Sequence, residues 1–189
     1  MRHGATEWSE DGRHTSTTDL PLTDQGRRDA VALAPVLGAQ AFSLVACSPR
    51  ARALDTCRLA GLDPATAGVE VWPDLVEWDY GAYEGVTTAA IQVDRPGWEL
   101  FVDGCPRGES PEQVGARADR VITRLLDAPT AGPVALFSHG HFLRVVAARW
   151  AGWPVEAGRH LLLDTGTLSV LDHKRGDRVI RSWNAAVAP

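Results

Sequence analysis

Arg2-His3-Gly4 at the start of the chain and His139-Gly140 far downstream are the residues whose types could do chemistry. A neutral imidazole beside a fixed guanidinium can attack phosphorus while the cation neutralises the phosphoryl oxygens. Alone, an Arg-His-Gly triplet is equally compatible with a solvated terminus, so the rest of the chain has to carry the weight. Arg50, Arg52 and Arg58 follow the apolar run 43–47 and open a helical pattern that Gly61 stops. A helix N-terminus attracts anions through unpaired N–H groups and its dipole, although three arginines can also make a solvated helix face. His139 follows a second apolar run, 133–137. In open α/β sheets ligands gather beyond the carboxyl ends of the strands, so both groups fall where a pocket belongs. Glu77 lies in segment 73–85, where acids stand among aromatics, surroundings that suit a carboxyl to proton donation but equally make a packed loop with charges at its edge.

The patterning supplies elements to position these residues. Thr23 is spaced to cap a helix carrying Ala30, Val31, Ala34 and Leu37 on one face, which Pro35 should kink or end. Residues 43–47 and 133–137 read as buried parallel strands, and 69–72 as a further strand. Ser110-Pro111-Glu112-Gln113 is the clearest helix start: Ser at the N-cap, Pro at the first position and Gln closing a capping box. Val114, Ala118, Val121, Ile122 and Leu125 then form one apolar stripe. Residues 142–151 continue as a helix that Gly152 and Pro154 stop. Two strands, 161–171 and 178–183, flank a polar turn at 172–177. The polar run 8–19 has no periodicity and reads as a loop, and 86–107 shows no assignable pattern. Alternating strands and helices predict a layered α/β fold.

The 189 residues are 44% hydrophobic, enough for one core and a single domain spanning 1–189. A net charge of -5 and a pI near 5.6 argue against a nucleic-acid partner. Eighteen of the nineteen Lys and Arg side chains are Arg, the better phosphate fork, and Lys174 is the one lysine. Cys47, Cys57 and Cys105 are odd in number and lack ligand spacing, which reads as reduced thiols in a cytoplasmic protein. No apolar run reaches the roughly 18 residues of a membrane span, and no signal-peptide pattern opens the chain.

Taken in order, Arg2-His3-Gly4-Ala5-Thr6, Pro21-Leu22-Thr23, Ser48-Pro49-Arg50-Ala51-Arg52-Ala53, Leu75-Val76-Glu77 with Tyr80-Gly81 and Glu84-Gly85, Gly108-Glu109-Ser110 and Ser138-His139-Gly140 resemble the histidine phosphatase superfamily, the phosphoglycerate-mutase-like proteins. Gly12-Arg13-His14-Thr15, residues 78–85, Asp103-Gly104-Cys105-Pro106 and His139-Gly140-His141 look most like its branch of mycobacterial acid phosphatases and sedoheptulose-bisphosphatase-type enzymes. The resemblance implies a three-layer α/β/α sandwich with a mostly parallel sheet. It implies a phosphomonoesterase with His3 as nucleophile, Arg2, Arg52 and His139 around the phosphoryl group, and Glu77 as proton donor. Ser9, Thr15, Ser16, Tyr80 and Gly140 match positions that touch substrate or its phosphate. Ser9 stands where mutases commonly have Asn.

No cofactor, metal, nucleic acid or membrane is expected, only a small phosphorylated substrate, with a homodimer as the assembly seen in relatives. Because Glu77 has to carry a proton, activity is expected to favour mildly acidic pH. Mutase-type phosphoryl transfer is the alternative, disfavoured by the short segment between Gly85 and Gly108. A catalytically impaired phosphate-binding protein is another, and a metallohydrolase using His3, His14, His139, His141, Glu77 or Asp79 a third. Relatives place an apolar strand directly before Arg-His-Gly, and here only Met1 precedes Arg2. The sheet is therefore expected either to lack its first strand or to receive it from an upstream start, and without it the nucleophile would sit on a fraying terminus.

Overall fold

The structure is a computed structural model describing residues 1–65, 68–128 and 132–187. Its centre is β1 (Leu44–Cys47), paired in parallel with β2 (Glu70–Val71) on one side and β3 (Val134–Phe137) on the other. Ala46 lies opposite Glu70, and Leu44 to Cys47 run in register with Val134 to Phe137. Parallel neighbours need crossovers. Helix α4 (Ala51–Leu59) connects β1 to β2, while α5 (Thr88–Asp94), α6 (Leu100–Asp103) and α7 (Pro111–Asp127) lie between β2 and β3.

Successive strand residues face opposite layers. Val45, Cys47, Ala135 and Phe137 pack with Leu33, Leu37, Ala53 and Cys57. Ala46 turns the other way, toward Val114 and Val121 of α7 and Phe142 and Val145 of α8 (Gly140–Trp150). Both faces of the sheet are covered, which is why its strands read as continuous apolar runs. The result is the expected three-layer α/β/α sandwich.

Caps set the helix starts. Thr23 accepts from Gly26 N to open α2 (Asp24–Ala32), and the break before α3 (Ala34–Gly38) falls where Pro35 lacks an N–H. Ser110 and Gln113 form the expected capping box of α7. The run 8–19, expected as loop, overlaps a short helix, α1 (Glu7–Glu10), opened by a Thr6–Ser9 capping box. A helix with no buried residue leaves no apolar periodicity to read. Of the strands expected at 161–171 and 178–183, the first begins only at Leu168, because residues 161–167 are irregular and turn at Thr165-Gly166; β4 (Leu168–Lys174) and β5 (Asp177–Ala185) form an antiparallel ribbon separate from the parallel sheet. Pairing extends into the expected turn, leaving Arg175 and Gly176 as the two left-handed residues that reverse the chain, with φ of 57° and 92°.

The opening segment corrects one expectation. Met1 N donates to Leu136 O at 2.7 Å, Ser138 N to Met1 O at 3.0 Å and His3 N to Ser138 O at 3.0 Å. Arg2 bridges Ser138 in parallel, so this segment is sewn onto the edge of β3 and Met1 is buried rather than fraying. Beside it a cleft of about 830 Å³ runs between residues 133–136 and residues 168–173. Gly4 holds the segment against α2: a Cβ there would come 2.2 Å from Gly26 O, so only glycine permits the contact.

Candidate active site

The carboxyl ends of β1 and β3 deliver the site. His139 follows β3 as the N-cap of α8 and is fully buried; its Nε2 shares a 2.7 Å hydrogen bond with the hydroxyl of Ser48, the residue after β1. The His3 ring lies 5.1 Å from the His139 ring, centroid to centroid. His3 Nδ1 sits 2.7 Å from Gly4 O. A carbonyl can only accept, so Nδ1 carries the proton and Nε2 keeps the lone pair. The backbone on either side is fixed, with Gly4 N donating to Thr56 Oγ1 and Gly166 N donating to His3 O.

Arg2 reaches across the first turn of α8. A Cβ on Gly140 would stand 3.1 Å from Arg2 Nε, so glycine here lets the guanidinium lie against the helix N-terminus, and one Arg2 N–H donates to Leu163 O. Arg52, in the first turn of α4, has no exposed surface. Its guanidinium donates to Thr18 O at 3.2 Å, Thr15 O at 3.1 Å and Ser16 O at 3.3 Å, with Asp19 at 3.7 Å. Glu84 in turn accepts the N–H groups of Ser16 and Thr18, locking the loop that holds Arg52.

Glu77 is 5% exposed. One carboxylate oxygen accepts from Trp78 N at 2.9 Å and Phe142 N at 2.7 Å, the other from His141 N at 3.1 Å. It therefore completes the N-terminus of α8, whose N-cap His139 makes no side-chain cap. Arg117 fixes the backbone behind it, donating to the carbonyls of Asp74, Val76 and Glu77 while paired with Glu109.

His3, Arg2, Arg52 and His139 are thus brought together, with Glu77 tied to the same helix end and Gly140 beneath Arg2. Tyr80 adjoins them through a 2.6 Å hydrogen bond between its hydroxyl and His141 Nδ1. Thr15 and Ser16 turn their carbonyls to Arg52, and the Thr15 hydroxyl donates to Arg13 O. The Ser9 hydroxyl donates to Thr6 O and accepts from Thr6 N, so its one proton is committed to the α1 cap. Ser48, Glu84, Glu109 and Arg117 support the site from outside the set that the sequence assigns to it. Ser48 and His139 are 91 positions apart, and no local pattern links them. Among the described residues, no three His, Cys, Asp or Glu side chains gather closely enough to hold a metal ion.

Burial dominates the electrostatics. His3 is held well below the usual histidine pKa first by desolvation, then by Arg52 and Arg2; His139 likewise by desolvation, then Arg52 and His3. Desolvation also depresses His141 and His14. All four therefore fold as neutral imidazoles. Above about pH 6.5 the unfolded chain is neutral at these positions too, and they contribute no pH dependence. Below it the unfolded chain takes up protons that the folded chain refuses, so stability falls by up to about 1.4 kcal/mol per pH unit for each histidine. Denaturant unfolding midpoints should drop clearly between pH 7.5 and pH 5.5, and a flat or rising profile would contradict neutral burial.

With this geometry in place, the comparisons give the class. The family model for the histidine phosphatase superfamily (branch 1) matches residues 1–186, and the chain belongs to that superfamily. It is 42% identical over 180 residues to an acid phosphatase of Mycobacterium tuberculosis, covering 94% of this chain and 87% of the relative. It is 36% identical over 185 residues to sedoheptulose 1,7-bisphosphatase of Saccharomyces cerevisiae, covering 82% and 68%. A solved structure of a Mycobacterium tuberculosis open reading frame matches with a TM-score of 0.93 at 40% identity, covering 99% of this chain and 96% of that one.

Proposed function

We propose that the protein hydrolyses small phosphomonoesters through a phosphohistidine on His3. The observation that carries this reading is a set of four buried nitrogens without a hydrogen-bond partner among the described residues: Arg2 Nε, Arg50 Nε, Arg52 Nε and His139 Nδ1. Unpaired buried donors are costly and call for an explanation. The His3 and His139 rings lie 5.1 Å apart, Arg2 lies against Gly140 next to His139, and Arg52, Arg2 and Arg50 all act electrostatically on His139, so these groups belong to one neighbourhood. With Ser48 donating to Nε2, His139 Nδ1 becomes a fourth N–H donor, and the set suits the oxygens of a phosphoryl group. Arg50 joins the residues assigned from the sequence.

In this mechanism His3 Nε2 attacks phosphorus as the P–O bond to the leaving group breaks, and Glu77 gives its proton to the departing alkoxide. Water then attacks the phosphohistidine, Glu77 takes the proton from it, the P–N bond breaks and His3 returns to neutral. Phosphoryl transfer relies mainly on positioning and charge neutralisation, which the guanidiniums and His139 would supply. The similarity to an acid phosphatase supports hydrolysis as the outcome.

The test is to mix the protein with p-nitrophenyl phosphate, quench at alkaline pH and map the phosphorylated peptide. The expected result is an acid-labile phosphoryl group on the peptide containing His3, absent from His3→Ala. A phosphoryl group passed to a second hydroxylated metabolite faster than to water would indicate a mutase. Phosphate binding with no phosphohistidine and no turnover would indicate a binding protein.

A further inference from the structure

Glu77 sits in an irregular stretch, so no strand or helix ladder defines the place of its backbone. Arg117 of α7 takes over that task. A guanidinium has five N–H donors, and here all of them are spent. Nη1 donates to Asp74 O at 3.0 Å and Val76 O at 2.7 Å, Nη2 to Glu77 O at 3.1 Å and to the Glu109 carboxylate, and Nε to Glu109 Oε1 at 2.8 Å. From the end of β3 the Ser138 hydroxyl donates to Leu75 O at 2.7 Å, so the carbonyls of residues 74 to 77 are all caught by these two side chains. Glu109 closes the far end. Its carboxylate accepts from Asp79 N at 2.9 Å, and its own N–H donates to Asp79 O at 2.9 Å.

Arg2, Arg50 and Arg52 each keep an Nε without a partner among the described residues, whereas Arg117 keeps no donor to offer a phosphoryl group. What it touches instead is the acid. Its guanidinium lies 4.1 Å from the centre of the Phe142 ring, and Phe142 N is one of the groups bonded to Glu77. Helix α7 thereby holds the backbone of Glu77, while α8 holds its side chain. The bonds on the carboxyl group also distinguish its two oxygens. Oε1 accepts from both Trp78 N and Phe142 N, which fills its lone pairs, and Oε2 accepts from His141 N alone. The transferable proton therefore belongs on Oε2, and the backbone of residue 77 sets where that oxygen points.

We infer that Arg117, backed by Glu109 and Ser138, is the positioning residue for proton transfer from Glu77 Oε2 to the leaving oxygen. The inference rests on the phosphatase reading above and concerns one step of it. In that step the bond from phosphorus to the leaving oxygen breaks, its electron pair stays on the oxygen, and the Oε2 proton is taken up there. A strongly basic alkoxide needs that proton, whereas a nitrophenolate departs without it. Misplacing the acid by about 1 Å costs on the order of 10²-fold, and the loss falls on the alkyl ester.

The experiment measures kcat/KM, which covers the steps through departure of the leaving group, for butyl phosphate and p-nitrophenyl phosphate. The proteins are the wild type, Arg117→Lys, Glu77→Gln and the double variant. Arg117→Lys keeps a cation beside Glu109 and gives up the planar fork. It should lose about 10²-fold on butyl phosphate and far less on p-nitrophenyl phosphate. In the Glu77→Gln background it should add almost nothing on butyl phosphate, because it acts through that residue. Proportional losses on both esters, or an Arg117 effect undiminished in Glu77→Gln, would make Arg117 a structural support and overturn the inference alone. If Arg117→Lys shows no cooperative unfolding transition, Ser138→Ala, which removes the hydroxyl bonded to Leu75 O, is judged on the same ratio of the two esters. A ratio shifted against butyl phosphate supports the inference, and an unchanged ratio overturns it. A wild type that hydrolyses neither ester would overturn the phosphatase reading and the inference with it, and equal losses on both esters in Glu77→Gln would overturn the acid step and the inference together.

Discussion

Arg52→Ala should lower kcat/KM for a phosphomonoester by roughly 10³–10⁵, the span seen when a phosphoryl-clamping arginine is lost. The residue combines two tasks that the variant removes together. Next to burial, its guanidinium contributes most to holding His3 and His139 neutral, and its Nε is one of the four unpartnered donors among the described residues. Its terminal N–H groups also gather the carbonyls of Thr15, Ser16 and Thr18, so truncation frees the loop that Glu84 holds from the other side. Each carbonyl left buried and unpaired costs about 1–3 kcal/mol. Arg52→Lys separates the two tasks, because it keeps a cation without the planar fork. It should fold better than Arg52→Ala and still lose most of the rate. Steady-state kinetics with unfolding midpoints on both variants makes the comparison, and near-native turnover in either would remove Arg52 from the mechanism.

The second large effect belongs to Glu77→Gln, expected to reduce kcat by roughly 10²–10⁴, the usual contribution of a positioned general acid. Geometry adds a second readout. The carboxylate accepts three backbone N–H groups through its two oxygens. An amide keeps one accepting oxygen and turns an NH₂ toward a donor, either His141 N or the Trp78 and Phe142 pair. That donor–donor contact should cost about 1–3 kcal/mol of stability even with the fold intact. A variant that is destabilised yet retains near-native turnover would leave Glu77 as a helix cap and nothing more. Acid works against the fold, because the buried histidines erode its stability as pH falls below about 6.5.

Much of the fold was legible because its strands and helices carry local signals. Residues 44–47 and 134–137 are apolar throughout because both faces of the sheet are covered, and Thr23 and Ser110 announce their helices through caps that the structure contains. Residues 86–107 resisted because α5 and α6 bury few side chains each, Ile91 in one and Leu100 and Phe101 in the other. The site was legible as residue types at strand ends. Its supports were not, since the bonds between Ser48 and His139 and between Glu77 and the start of α8 join segments 91 and 65 positions apart. The short helix α1 shows the remaining limit: it buries no side chain, so no periodicity announces it, and the Ser9 hydroxyl that closes its first turn leaves no sign in the local pattern.

Every fixed cation placed at the candidate site is a guanidinium, which has a practical corollary. Lys174, the chain's one lysine, ends β4, a strand that begins just after the Gly166 N–H bound to His3 O. Six residues of extended chain place its attachment point roughly 20 Å from the start of that strand. Lysine acetylation, or a dye or resin coupled through that side chain, would thus decorate the tip of the ribbon and leave the reaction centre chemically untouched.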